Sequence, residues 1–94
     1  MKPKSSLLRG GTKDRPKYAV HFDDGITLML NSTSKGLEYD GMLSVGLDSY
    51  YLKTGEWPAG DNLKQRVEMA VAFVNKNKKN NRYRAKLRDD TETN

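Results

Sequence analysis

The chain has 94 residues, of which 35% are hydrophobic and 31% charged, and its formal net charge is +5. This length predicts one small domain with a modest core and excludes a pair of catalytic domains. The absence of cysteine excludes disulfides, cysteine-ligated zinc, iron–sulfur clusters and thiol nucleophiles, and the absence of a long apolar run predicts a soluble, cytoplasmic protein without a membrane span or signal peptide.

Residues 1–16 are predicted to form a flexible, disordered basic arm. Two prolines and two glycines lie there among Ser, Thr and Lys. Such a composition buries too little apolar surface to offset the entropy lost on ordering. We therefore place a single globular domain at residues 17–79 and a basic, then acidic, tail at residues 80–94.

Residues 18–30 carry the pattern of a β-hairpin. Two apolar alternations, 18–22 and 26–30, flank Asp23-Asp24-Gly25, a composition typical of a tight turn. A three-residue loop brings all the apolar side chains to one face. The predicted cross-strand pairs are Phe22 with Ile26, Val20 with Leu28, and Tyr18 with Leu30.

Residues 37–57 allow two interpretations. Leu43, Leu47 and the Tyr50-Tyr51 pair follow helical spacing, which predicts a helix over about 40–54. The alternative is a pair of strands around Asp40-Gly41, because glycine disfavours a helix interior and Asp-Gly is a hairpin turn signal.

Residues 61–79 are predicted to form an amphipathic helix. Its apolar positions recur at the spacing of one helical face, and Asp61 is placed to cap its start. Lys76, Lys78 and Lys79 suit the negative pole of the helix dipole, and Asn80-Asn81 is the predicted stop. The apolar positions are Leu63, Val67, Ala70, Val71 and Val74.

These elements predict an α+β fold in which a β-hairpin packs on two helices, with a disordered basic N-terminal arm and a basic C-terminal tail. A lone hairpin is marginal in water, so its apolar face is expected to rest on the 61–79 helix. The alternative architecture is a small β-meander closed by one C-terminal helix.

The charge pattern predicts contact with nucleic acid, either DNA or RNA. Residues 1–17 carry a net charge of +5, residues 18–63 carry −5, and residues 64–94 carry +5. Clustered cations neutralise phosphates, and a tyrosine among them is able to stack on a base. The predicted nucleic-acid-binding residues are Lys76, Lys78, Lys79, Arg82, Tyr83, Arg84, Lys86 and Arg88, together with Arg9, Lys13, Arg15 and Lys17.

A second hypothesis is a small protein-interaction module or inhibitor, of the kind that phages and mobile elements encode. It binds a protein partner, or a second copy of the chain, through Trp57, Tyr50, Tyr51 and the acidic middle of the sequence. Trp and Tyr are enriched at interface hot spots. Adjacent helical positions cannot both face inward, so at least one of the two tyrosines is expected to be exposed.

The sequence does not predict an enzyme. His21 is the single histidine, and no orienting acid and nucleophile accompany it in a recognisable pattern. Asp23 and Asp24 fit a turn better than a metal site, which needs more oxygen ligands. No glycine-rich phosphate loop occurs, so we expect no metal and no cofactor.

Overall fold

The computed structural model describes residues 1–51 and 63–77. Within these residues the chain forms five strands and one helix. The elements are β1 (Pro3–Gly11), β2 (Pro16–Phe22), β3 (Ile26–Thr33), β4 (Gly36–Val45), β5 (Asp48–Tyr51) and α1 (Leu63–Lys76). The strands make one antiparallel sheet in chain order, and α1 packs on one face of it.

The β2–β3 hairpin confirms the sequence prediction. Tyr18 pairs with Leu30 and Val20 pairs with Leu28, as expected. The turn is closed by the Gly25 N–H, which donates to the Phe22 carbonyl at 3.3 Å. Because this hairpin is local and its alternation is uninterrupted, its register is set within 13 residues of sequence.

The hydrophobic core lies between one sheet face and α1. The predicted apolar face of the hairpin is buried, and the helix closes over it as expected. Apolar area removed from water contributes about 25 cal/mol per Å² to stability, so this layer is the main source of the fold's stability. The core residues are Leu8, Tyr18, Val20, Phe22, Ile26, Leu28, Leu30, Leu43, Leu63, Ala70 and Val74.

The predicted helix over 61–79 is confirmed for Leu63–Lys76. Asn77 lies in the turn at the end of the described helix, and the predicted Asn80-Asn81 stop lies outside the described residues. The Asn77 N–H donates to the carbonyls of Phe73 and Val74, and its side-chain amide donates to the Phe73 carbonyl at 2.8 Å. These bonds satisfy carbonyl groups that a helix end otherwise leaves without partners.

One charged residue lies in the core face of α1. Arg66 is only 2% exposed and makes two hydrogen bonds to Asp24, from Nη1 to Oδ1 at 3.2 Å and from Nη2 to Oδ2 at 2.7 Å. Its guanidinium also lies 4.6 Å from the centre of the Phe22 ring, a cation–π distance. Hydrogen bonding from Arg66 holds the pKa of the Asp24 carboxyl below its usual value of 3.8. The pair fastens α1 to the β2–β3 turn.

The predicted disordered arm is wrong for Pro3–Gly11, which form the edge strand β1. β1 pairs with β2 along most of its length, with Ser6 opposite Val20 and Leu8 opposite Tyr18. Its order comes mainly from this backbone ladder and from the burial of Leu8. The amino-acid composition of residues 3–11 does not indicate this stabilisation, because β2 supplies the hydrogen-bond partners.

The predicted helix over 40–54 is also wrong. The predicted architecture, a β-hairpin packed on two helices, is therefore wrong as well. The described residues form the alternative architecture, a meander with one C-terminal helix. Its turn lies at Gly46-Leu47 instead of Asp40-Gly41. Of the apolar residues that suggested a helix, Leu43 is buried, whereas Leu47 is fully exposed in this turn.

Gly41 belongs to a wide irregularity in β4. Leu28 pairs with Leu43 and Leu30 pairs with Tyr39, so β4 has two more residues than β3 across this interval. Gly41 has φ of +94°, a backbone conformation that side chains disfavour. The Asp40 Oδ1 accepts the Met42 N–H at 2.9 Å. This β-bulge keeps Tyr39 and Leu43 on the same face.

Candidate nucleic-acid interface

The N-terminal cations lie on β1 and on the turn that follows it. Because the strands alternate in direction, the β1–β2 turn (12–15) and the β3–β4 turn (34–35) lie at the same end of the sheet. We call this the basic end. Its exposed cations are Lys13 and Arg15 on the first turn and Lys35 on the second, with Arg9 near the end of β1.

The β1–β2 turn has a tightly specified backbone. The Thr12 N–H donates to the Arg15 carbonyl at 3.1 Å, and the Arg15 N–H donates to the Thr12 Oγ1 at 3.0 Å. Gly11 has φ of +80°, and a Cβ there would lie 2.7 Å from the Lys17 nitrogen and against the Arg15 carbonyl oxygen. Only glycine fits this position, so the turn holds Lys13 and Arg15 on a defined backbone.

Two β-bulges place further cations along the β1 edge. The register with β2 shifts between Pro3 and Ser5 and again between Leu8 and Gly10, so Lys4 and Arg9 are the extra residues. Both are exposed. Bulges and charges are devices that block an edge strand from pairing with another sheet. Here they also direct two cations to solvent.

Lys17 differs from the other basic-end cations because it has a carboxylate partner. Its Nζ lies 3.7 Å from the Asp40 Oδ2. The Asp40 side chain is held in place by its bond to the Met42 N–H in the β4 bulge. Lys17 is therefore partly neutralised, although its side chain remains about half exposed.

Among the described residues, no carboxylate lies within ion-pair distance of Arg9, Lys13 or Arg15. The carboxylates of the β2–β3 turn are engaged at the opposite end of the sheet. Asp24 binds Arg66, and Asp23 lies 3.7 Å from the N-terminal ammonium group. The basic end thus has four exposed cations against the one exposed carboxylate of Asp14 on its first turn.

Most of the predicted C-terminal cluster lies outside the described residues. Lys76 is exposed at the end of α1. Seven of its predicted partners fall in the part of the chain that the structure does not describe, namely Lys78, Lys79, Arg82, Tyr83, Arg84, Lys86 and Arg88. Their participation remains a prediction.

Of the aromatic residues proposed for partner binding, Trp57 lies outside the described residues. Tyr50 and Tyr51 lie on β5 and are 43% and 79% exposed. Tyr50 pairs with the core residue Leu43, whereas Tyr51 pairs with Met42. Successive strand residues face opposite sides of a sheet, so Tyr50 lies on the side of α1 and Tyr51 on the other side.

His21 has a hydroxyl neighbour in place of a catalytic acid. Its Nδ1 lies 2.7 Å from the Thr27 Oγ1 on the adjacent strand. Within residues 1–51 and 63–77, no group of three or more His, Asp or Glu side chains is arranged to hold a metal ion. The described part of the chain also has no helix long and apolar enough to cross a membrane.

Sequence reasoning missed Arg66 as a core residue. The signal was present, because Arg66 lies three residues after Leu63 and four before Ala70, on the buried stripe of α1. A basic residue on such a stripe implies a carboxylate partner within hydrogen-bonding distance.

The geometry therefore defines a basic end with four exposed cations, three of which lie on or beside a constrained turn. Comparison of the chain with protein-family models, with curated proteins and with solved structures finds no match.

Proposed function

We propose that this chain is a non-enzymatic nucleic-acid-binding accessory protein that grips the phosphate backbone. The observation that carries the proposal is the cluster of Arg9, Lys13 and Arg15. They are exposed and lack carboxylate partners among the described residues. Exposed cations without carboxylate partners bind phosphates and release counterions, which favours association at moderate salt.

The charge distribution supports a localised contact instead of a general attraction. The β2–β3 turn at the opposite end has Asp24 bound to Arg66 and Asp23 beside the N-terminal ammonium group. The basic end has Arg9, Lys13, Arg15 and Lys35 exposed against the exposed Asp14, which leaves a net charge of +3 for a polyanion. The predicted C-terminal cations would extend this contact, giving six to eight neutralised phosphates and a slope of log K against log salt of about −5 to −7.

The test compares two triple variants that remove the same charge. In R9A/K13A/R15A three cations of the basic end are lost. In K2A/K4A/K64A three other exposed cations are lost, none of them on the basic-end turns. Affinity for a fluorescent 20-nucleotide DNA and its duplex is measured by anisotropy between 50 and 300 mM salt.

We expect the basic-end variant to lose affinity. Its salt slope should fall by about 2.7 on the duplex and about 2.1 on the single strand, since each phosphate contact contributes about 0.9 and about 0.7 respectively. The control variant is expected to keep most of the slope. Equal loss in both variants would show that net charge alone matters. Absence of binding by the unmodified protein to DNA and RNA would refute the proposal.

The C-terminal cluster is tested separately with K78A/K79A/R82A/R84A. Phosphate contacts carry no sequence information, so this variant is expected to weaken binding to all sequences to a similar degree. Unchanged affinity would confine the contact to the basic end.

The rival proposal is a protein-interaction module, favoured by the fully exposed Leu47 and the exposed Tyr51. A stoichiometric protein partner that remains bound after nuclease treatment, and is lost in L47A, would favour it.

A further inference from the structure

The basic end consists of two turns, and a threonine hydroxyl holds the backbone of each. In the first turn (12–15) the Thr12 Oγ1 accepts the Arg15 N–H. In the second turn (34–35) the Thr33 Oγ1 accepts the Lys35 N–H at 3.1 Å and donates to the Gly36 carbonyl at 2.9 Å. Lys35 is therefore exposed on a backbone that is specified as closely as that of the first turn.

The two turns reach the same height at this end of the sheet. The Ser32 hydroxyl donates to the Pro16 carbonyl at 2.6 Å, which keeps the β2–β3 register up to the ends of both strands. One residue further along that register, Arg15 is level with Thr33. A ligand that contacts one turn from the end of the sheet therefore meets the other turn as well.

The distance between the two turns follows from the topology. The first turn joins β1 to β2 and the second joins β3 to β4, and the strands lie in chain order. The centres of the turns are therefore two strand spacings apart, or about 10 Å at about 4.8 Å per spacing. Because β2 and β3 pair directly between the turns, the sheet fixes this distance.

The second turn presents positive charge of its own, although carboxylates lie on the strand after it. Glu38 is exposed and lies three residues beyond Lys35, which is about 10 Å along β4 and equals the Debye length at 0.1 M salt. Asp40 is paired with Lys17. The repulsion between these carboxylates and a phosphate at the second turn is thus largely screened.

In the part of the chain that the structure describes, no exposed aromatic ring accompanies the cations of the basic end. Tyr18 is 4% exposed and Tyr39 is half-buried. The exposed Tyr50 and Tyr51 lie on β5, which pairs with residues 42–45 in the half of β4 away from the second turn. Single-strand binders combine cations with aromatic side chains on which bases stack. The basic end therefore suits a ligand whose bases are stacked inside it and whose phosphates lie outside.

A double helix has this chemistry and also presents two rows of phosphates. Duplex DNA carries one charge per about 1.7 Å of its axis, whereas each strand alone carries one per about 3.4 Å. The minor and major grooves of B-DNA are about 6 Å and about 12 Å wide. These widths bracket the separation of about 10 Å between the turns, so flexible Lys and Arg side chains on the two turns are able to reach the phosphate rows on both sides of a groove.

We propose that the two turns of the basic end straddle a groove of a double helix, with the first turn on the phosphates of one strand and the second turn on those of the other. This inference rests on the proposed function and narrows its ligand to duplexes. It assigns Lys35 to the contact with the second strand. DNA and RNA duplexes share this chemistry, and the test separates them.

The test compares two variants that each remove one lysine. K35A removes the cation of the second turn, and K64A removes an exposed cation of α1. The fluorescent ligands are a 20-base-pair DNA duplex, the RNA duplex of the same sequence, and the single strands of both. A fifth ligand is the DNA duplex with uncharged methylphosphonate linkages throughout one strand. Affinity is measured by anisotropy between 50 and 300 mM salt, and circular dichroism checks that both variants are folded.

We expect the unmodified protein to bind at least one duplex about tenfold more tightly than the single strands, and the tighter duplex identifies the source of the ligand. K35A is expected to lose about threefold on that duplex, with a salt slope lower by about 0.9. On the duplex with one uncharged strand, K35A is expected to bind as tightly as the unmodified protein, because only one row of phosphates is left to contact. K64A is expected to match the unmodified protein on every ligand.

Three results would overturn the contact across a groove. Equal affinity for single strands and duplexes, with R9A/K13A/R15A weakening both, refutes it and leaves the proposed function intact. Unchanged affinity of K35A for the fully charged duplexes also refutes it. An equal loss in K35A on the fully charged DNA duplex and on the duplex with one uncharged strand would show that Lys35 acts through general charge alone. Absence of any nucleic-acid binding removes the proposed function as well.

Discussion

Neutralising Asp24 is expected to destabilise the fold by about 2 kcal/mol at pH 7. In D24N, Arg66 stays 2% exposed but loses the ion pair with Asp24, while the Asn oxygen still accepts from the Ile26 N–H as Asp24 Oδ1 does now. Breaking a buried ion pair costs about 3–5 kcal/mol. Asp24 is 39% exposed, so solvent screens part of the interaction and the figure is reduced accordingly.

The matched variant is R66M, which removes the buried charge and keeps an unbranched apolar stem. In R66M the Asp24 carboxylate is still in contact with water, so the loss of its partner lowers the free energy of unfolding only slightly. R66M is therefore expected to destabilise the fold less than D24N. This ordering follows from the unequal exposure of the two partners.

The assay is urea denaturation followed by circular dichroism, at pH 7 and at acidic pH. The pKa of Asp24 is lowered in the folded state, so its contribution to stability is complete above 3.8 and is lost as pH falls through the folded value. The difference between D24N and the unmodified protein should disappear there. A D24N variant as stable as the unmodified protein at pH 7, or a difference that persists when Asp24 is protonated, would refute the reasoning.

Three further predictions concern the basic end and the β4 bulge. G11A should lower the free energy of unfolding by about 2–4 kcal/mol, because the added Cβ would meet backbone atoms. A Cβ at Gly41 would meet no atom, so G41A should cost only about 1–2 kcal/mol of backbone strain. Equal losses of stability in thermal melts of the two variants would contradict this. D40N keeps the acceptor for the bulge but releases Lys17, so nucleic-acid affinity should rise about threefold; no gain in anisotropy would show that Lys17 makes no contact. Burial, with the nearby Asp40 charge, raises the pKa of Tyr39 from 10.0 to about 12, so stability should fall as pH rises through this interval. Y39F should lose less stability in urea titrations between pH 9 and 12, and parallel curves for the two proteins would exclude a role for Tyr39.

Local patterns predicted the β2–β3 hairpin and α1 because each is specified within its own segment. The alternation around Asp23-Asp24-Gly25 set both the turn and the register, and apolar spacing set the helix. β1 was missed because its hydrogen bonds come from β2 and because it contributes one core residue, Leu8. Strand pairing of this kind is not detectable from the amino-acid composition of the strand.

The helix predicted over 40–54 had a specific cause. Leu43, Leu47 and Tyr50 follow one another at helical spacing, although Leu43 lies on β4, Leu47 in the turn and Tyr50 on β5. The fully exposed Leu47 thus supplied a periodicity that the fold does not use. An interrupted strand and a short amphipathic helix are therefore indistinguishable over this segment without knowledge of the partner strand.

For the candidate interface, the sequence identified the cations but not their arrangement. Arg9, Lys13 and Arg15 were expected on a disordered arm, and the structure places them on and beside a constrained turn. Exposure of at least one of Tyr50 and Tyr51 was confirmed, although the physical reason is alternation along β5 and not a helix.

The even size of the β4 bulge has a consequence for how this strand tolerates changes in length. Inserting two residues returns the chain to the same side of the pleat, so the strand portions before and after Gly41 keep their inward side chains inward. Removing two residues here would shorten the strand without turning it over. Removing one would invert Leu37 and Tyr39 relative to α1, so viable length variants at this site should differ from this chain by even numbers.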